Sequence, residues 1–263
     1  MIRVYDHAMV GRHRKGYYGG SGFFNFGYWS TQAQSQREAS EALVDQLLDR
    51  VVVKGGRILD VACGVGSSTR RLMDSYGIDM ITGINISDAQ IAAARKNAPG
   101  CKFIQMDATC LKFPNCHFDA IICVEAAFHF DTRDAFLREA LRVLKPGGSL
   151  VLSDILFRKL AGRIVEFIHV PRSNLVPDIP SYRRRLEEAG FDVIDVQDAT
   201  DACLGGFRRH FASWPAYQRK SGHMRIGRAI QKSILARAIT GFFGLTCKAY
   251  VLVAALKPVL RQR

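Results

Sequence analysis

From Arg57 onward, short β-rich runs alternate with amphipathic helical patterns, and this alternation restricts the possible folds more than any other feature. The β-rich runs are 57–61, 80–85, 102–106, 118–124 and 149–152, followed by 191–196 and 249–254. Helical periodicity fills 67–76, 88–97, 133–144 and 182–189 between them. Ser87 or Asp88 is placed to cap the second helix, and Lys145-Pro146-Gly147-Gly148 to stop the third and turn the chain into the fifth strand. Strands separated by helices of this length pair in parallel through crossovers. The expected class is α/β, a doubly wound, seven-stranded, mostly parallel sheet.

Three stretches stand outside the alternation. In residues 1–56, Tyr17, Tyr18, Phe23, Phe24, Phe26, Tyr28 and Trp29 put 7 of the 26 aromatics into 13 residues, ahead of a helix from about 34 to 51. The other two are roughly 155–180 and 199–245, connections long enough to act as lids. The expected organisation is therefore an amino-terminal aromatic and helical cap, 1–56, on a core of 57–263 with substrate-covering insertions at 155–180 and 199–245.

Composition excludes whole classes. With 263 residues, 48% hydrophobic and 23% charged, the chain is neither disordered nor a coiled-coil rod. No run of 18 apolar residues exists, and residues 1–15 lack the apolar centre of a secretory signal, so a soluble cytoplasmic protein is expected. Seven cysteines without a C-x-x-C pair point to reduced thiols, and no metal site is expected. The net charge of +13 is concentrated in residues 158–263, with 19 Lys/Arg against 8 Asp/Glu. Such a field suits an anionic substrate, an acidic lipid surface or nucleic acid, unless it serves only solubility.

The run Arg57-Ile-Leu-Asp-Val-Ala-Cys-Gly-Val-Gly-Ser-Ser-Thr69 is a buried strand followed by a glycine turn that opens a helix. Gly64 and Gly66 permit positive φ and close approach of a ligand to the backbone, so a nucleotide-like cofactor is inferred. Gly64-x-Gly66-x-x-Thr69 half-matches a dinucleotide fingerprint, which leaves a nicotinamide-dependent oxidoreductase as an alternative. That alternative is disfavoured because Thr69 stands where the third glycine would be.

Four ordered segments separate these readings: LDVACGVGSST (59–69), TGINISDAQIAAAR (82–95), MDATCLKFPNCHFDAIICVEAAFHF (106–130) and EALRVLKPGG (139–148). Over about 22–155 the chain resembles the class I S-adenosylmethionine-dependent methyltransferases, in the group acting on sterols, tocopherols, phthiotriols and natural products. The resemblance implies methyl transfer to an oxygen or carbon of a small, hydrophobic acceptor that could itself be anionic. It implies that Asp60, Ala62, Gly64 and Gly66 line the methionine and ribose part of the cofactor, that Asp107 and Ala108 hold adenine, and that Tyr28 and Trp29 close over it. Flanking Cys63, Ile86 and Val124 are counted with the cofactor site. Where the family places Asp or Glu for the ribose hydroxyls, this chain has Asn85, with Gln90 as a further contact.

His129, past the fourth strand, is the candidate general base, and Glu125 either orients it or faces the cofactor; both could equally just shape the pocket. Glu166 and His169, at i and i+3, form a weaker pair, and His7, His13, His117, His210 and His223 have no informative partner spacing. Arg183-Arg184-Arg185 and Arg208-Arg209 could hold an acceptor's phosphate or carboxylate, or form a solvated face. Within 224–245, Ile226, Ile230, Ile234, Ala238 and Phe242 recur every four residues beside Arg225, Arg228 and Lys232. Such a helix either packs on its own domain or rests on a membrane or partner. Nucleic acid is not an expected partner, since no RNA-binding motif accompanies the charge. The aromatic arm could cap its own pocket or cross to another subunit in a homo-oligomer.

Overall fold

The computed structural model describes residues 6, 17–29, 33–159 and 168–259. Seven strands form one sheet in the order β3-β2-β1-β4-β5-β7-β6. They are β1 (Ile58–Val61), β2 (Ile81–Asn85), β3 (Lys102–Gln105), β4 (Phe118–Val124), β5 (Leu144–Phe157), β6 (Asp192–Asp198) and β7 (Cys247–Leu256). The first five pair in parallel, while β7 runs antiparallel to both β5 and β6. The expected mostly parallel seven-stranded sheet is thus present.

Strand alternation divides the core into two layers. Ile58, Ala120, Ile122 and Val151 face α1 (Gln36–Asp49) and meet its Leu43, Val44 and Leu47. Leu59, Val61, Ile121 and Cys123 face the other way, onto Phe136, Leu137 and Ala140 of α4 (Arg133–Val143) and Leu186 of α5 (Ile179–Glu188). Leu43 and Leu47 are fully buried, and each contributes about 2 kcal/mol through the apolar surface it removes from water. Helix starts follow local chemistry. Ser35 accepts from the Glu38 N–H while the Glu38 carboxylate accepts from the Gln34 N–H, and Ser87 caps α3 (Asp88–Asn97).

The fifth strand runs well past the expected 149–152. Leu144 already pairs with Phe118, the register breaks across Lys145-Pro146-Gly147-Gly148, and pairing with β7 continues to Phe157. Residues 155–157, counted on sequence in the first insertion, therefore belong to the sheet. Helix α2 (Ser67–Leu72) stops earlier than 76, in tightened turns in which Met73 N–H donates to Arg70 O. The second long connection is a helical hairpin. A π-turn at Asp201–Gly205 leads into α6 (Gly206–Lys220), and α7 (Ile226–Thr246) returns to β7.

Candidate active site

Register brings the carboxyl ends of three strands level, because Val61 pairs with Ile84 on one side and Cys123 on the other. At β1 the strand order reverses, which is where open α/β sheets bind ligands. A cleft of about 230 Å³ opens there. A single water needs on the order of 10–15 Å³ on this measure, so the cleft has room for a ligand of tens of atoms.

The glycine turn supplies the first wall. Ala62 and Gly64 line the cleft with φ of 57° and 55°, left-handed values that present backbone rather than side chain. Gly66 (φ 87°) acts on packing instead. A Cβ there would lie 2.9 Å from Ala94 Cα, so its hydrogen lets α2 pack against α3. Asp60 and Cys63 also stand behind the wall. Asp60 is buried and accepts from Ser68 Oγ (2.7 Å) and Thr69 Oγ1 (2.6 Å), which ties the strand to the first turn of α2. Burial raises its pKa to about 6, against the pull of those two hydroxyls. The Cys63 thiol is pushed well up by burial, so it is an inert packing group.

The second wall comes from the ends of β2 and β3. Asn85, Ile86 and Gln90 line it, as do Asp107 and Ala108. The Asn85 amide is already committed within the chain: Oδ1 accepts from Ser87 N–H (2.9 Å) and Nδ2 donates to Gln90 Oε1 (3.2 Å). Sequence reasoning missed Asp6. Its Oδ1 accepts from Ser87 Oγ (2.6 Å) and Gln90 Nε2 (2.9 Å), bringing a carboxylate to the strand end that lacks one. No local pattern around Asp6 signals this, since the contact spans more than 80 positions.

Val124, Glu125 and His129 form the third wall, where β4 ends. Glu125 has φ 48°, and its N–H donates to Ser153 on β5. Its Oε1 accepts from Phe26 N–H and Tyr250 Oη, each at 2.7 Å. Its described partners are therefore the amino-terminal arm and β7 rather than His129. Burial raises the Glu125 pKa to about 8, and the two hydrogen bonds oppose that rise. His129 Nδ1 lies 3.0 Å from His169 O. A carbonyl only accepts, so Nδ1 carries the proton, and in the neutral ring Nε2 is the basic nitrogen. Burial lowers the His129 pKa from 6.5 to about 4, despite that hydrogen bond.

The arm reaches the cleft through Phe24, which lines it. Tyr28 and Trp29, expected to close over the cofactor, are not among the described residues that line the cleft. Tyr28 N–H donates to Ala39 O on α1, while the Trp29 ring packs on Gly206 and lies 4.2 Å from the His210 ring. The aromatic run is long enough to serve both jobs, with Phe24 inward and Trp29 locked to α6. The arm is also fastened at the glycine turn, where Ser67 Oγ donates to Ser21 O.

Behind His129 lies a buried ionic framework. Arg133 Nε donates to Asp154 Oδ2 (2.8 Å), which also accepts from Tyr182 Oη (2.7 Å). Asn174 Nδ2 donates to Phe128 O and Phe130 O, the residues flanking His129. Other candidates are committed to partners within the chain. Arg185 pairs with Asp134, Arg209 with Asp201, and Arg208 Nε donates to Thr240 O. His210 meets Tyr17 Oη at 2.9 Å. Glu166, His7 and His13 lie outside the described residues.

The lining chemistry suits S-adenosylmethionine. Amide and hydroxyl groups of Asn85, Ser87 and Gln90 match ribose hydroxyls, Asp107 can accept from an amino group, and Ile86 and Met106 offer apolar faces to a base. In a protein of net charge +13, the described lining residues include no Lys or Arg but do include Asp107 and Asp131. That suits a sulfonium cation and would repel the pyrophosphate of a dinucleotide.

Comparisons with known proteins agree. Residues 59–152 match the family described as "Methyltransferase domain". Methyltransferase GfsG of Streptomyces halstedii is 31% identical over 191 residues, covering 67% of this chain and 68% of that one. The 27-O-demethylrifamycin SV methyltransferase of Amycolatopsis mediterranei is 31% identical over 186 residues, 66% of this chain and 68% of that protein. Among solved structures, the [4+2]-cyclase SpnF superposes with a TM-score of 0.75 at 28% identity, covering 98% of this chain and 96% of that one. On its sequence and its cleft alike, the chain belongs to the S-adenosylmethionine-dependent methyltransferase family.

Proposed function

We propose that the enzyme methylates an oxygen or carbon of a small, hydrophobic acceptor of natural-product type, with His129 as general base. The observation that carries this reading is the pairing of His129 Nδ1 with a backbone carbonyl at the mouth of an apolar cleft. Phe24, Ile86, Met106 and Phe130 favour an acceptor with a greasy body. The names of the relatives, such as the rifamycin enzyme, point to the same class of molecule.

Ala62, Gly64, Asn85, Gln90 and Asp107 would hold the cofactor, whose bound form supplies an electrophilic methyl group on a positively charged sulfur. Neutral His129 takes the acceptor's proton as the acceptor atom gains the methyl group. The imidazolium then carries the positive charge that the sulfur loses, so the buried site's net charge is conserved through the step. Phe24 and the 24–26 segment exclude water, and Glu125 holds that segment in place through Phe26 N–H.

The test is incubation of the purified protein with S-adenosylmethionine and a panel of lipophilic phenols, alcohols and β-dicarbonyl compounds, followed by product mass. A gain of one CH2 unit on a member of the panel supports the reading. Turnover confined to charged hydrophilic acceptors, or a product of unchanged mass as in a cyclisation, would overturn it.

A further inference from the structure

The hairpin of α6 and α7 has an apolar face that no described residue covers. On α7, Ala229, Ala236 and Thr240 are buried against the rest of the molecule, and Arg208 of α6 donates to Thr240 O. These small residues let the two helices approach closely. The larger side chains are turned away. Ile226, Ile230 and Ile234, at four-residue spacing, are 58%, 58% and 67% exposed, and Leu235 and Leu245 are exposed as well. Tyr217, near the end of α6, is 65% exposed. A row of large exposed apolar side chains at helical spacing marks an interaction site.

Charge decides the partner. From Gly206 to Thr246 the sequence has eight Lys/Arg and neither Asp nor Glu. Arg208 and Arg209 are engaged inside the chain, whereas Arg219, Lys220, Arg225, Arg228, Lys232 and Arg237 are all exposed. On a helical wheel, at about 100° per residue, the exposed Arg237 falls in the isoleucine row one turn beyond Ile234, whereas Arg225, Arg228 and Lys232 cluster on the opposite side of α7. Two copies pairing through this face would bring two basic hairpins together with no acid on either to neutralise them. An anionic bilayer meets both features at once, with acyl chains for the isoleucines, headgroups for Arg237 and a negative surface for a hairpin without acidic residues. No described helix is long and apolar enough to cross a membrane, so this element would lie on the surface rather than span it.

We infer that the α6–α7 hairpin docks the enzyme on anionic lipid surfaces, with Ile226, Ile230 and Ile234 entering the acyl boundary and Arg237 contacting headgroups. The root of the hairpin is joined to the site. Phe207 stacks on Phe26 of the arm at 4.7 Å, so a molecule seated on lipid by α7 keeps its arm and cleft close to the membrane. The inference stands on exposure and charge, and does not depend on which atom is methylated.

The test is co-sedimentation of the full chain with vesicles of phosphatidylcholine alone or mixed with phosphatidylglycerol, at low and at high salt. The expected result is partition onto the mixed vesicles at least about tenfold above the neutral ones, falling as salt rises. The variant Arg237→Gln should lose roughly fivefold of that binding, and Ile226→Ser/Ile230→Ser/Ile234→Ser should lose more. Both substitute exposed positions, and thermal melts alongside would verify folding. Absence of binding by the folded wild-type protein, equal partition onto neutral vesicles, or undiminished binding by the triple variant would overturn the inference. So would a dimer in sedimentation velocity that the triple variant dissolves, which would assign the face to a second copy.

Discussion

Tyr250 Oη on β7 donates to Glu125 Oε1 at 2.7 Å, and the same oxygen accepts the backbone N–H of Phe26. One carboxyl group thus joins the arm, the end of β4 and an antiparallel strand added late in the chain. Tyr250→Phe would leave Glu125 buried with one donor fewer. A loss of about 1 kcal/mol in stability is expected from urea unfolding, with weaker protection of the arm in hydrogen exchange.

Glu125 also sets a pH dependence. Its folded pKa of about 8 lies above the ordinary value of 4.5, so the folded state binds the proton more tightly than the unfolded chain. The associated stability is complete below about pH 4.5 and is lost as pH rises through 8. Glu125→Gln should flatten the fall in melting temperature over that window. An unchanged pH slope would show that Glu125 does not titrate there.

His129→Ala should lower kcat by roughly 10²- to 10⁴-fold if the imidazole removes the acceptor proton, with S-adenosylhomocysteine affinity unchanged in calorimetry. With the folded pKa near 4 rather than 6.5, the acid limb of the rate profile should fall below about pH 5. A drop under about threefold in kcat would leave His129 as a wall of the pocket.

Gln90 lies between Asn85 and Asp6 at the end of β2. Gln90→Ala should weaken S-adenosylhomocysteine binding by roughly tenfold, about the worth of one or two hydrogen bonds. At saturating cofactor, kcat should change little. Equal affinity by calorimetry would place the ribose elsewhere.

Arg133 and Asp154 are both fully buried and paired at 2.8 Å. Removing one partner strands the other charge, so Arg133→Met is expected to cost about 3–5 kcal/mol in urea unfolding. Because the Arg133 guanidinium also donates from Nη1 to Asn174 O, and Asn174 Nδ2 donates to the carbonyls beside His129, a surviving variant should also show reduced kcat.

Much of the frame was legible in the linear chain. Short β-rich runs against period-3.6 runs located every strand and the crossover helices, because a strand buried on both faces is written as a continuous apolar run and a helix records its one core-facing stripe. The glycine turn after Asp60 was equally plain, since only glycine tolerates both a left-handed backbone and the approach of Ala94. Tertiary structure decided the rest. Ser153 and Asp154 read as the end of a strand, yet β5 continues because Arg133 neutralises Asp154 inside the core. Tyr28 and Trp29 were indistinguishable from Phe24 by composition, and only tertiary contacts put Phe24 in the cleft lining and the Trp29 ring on Gly206 of α6. The partners of Glu125 come from 99 and 125 positions away, and hydrogen bonds closed over such distances leave no periodicity in the sequence to read.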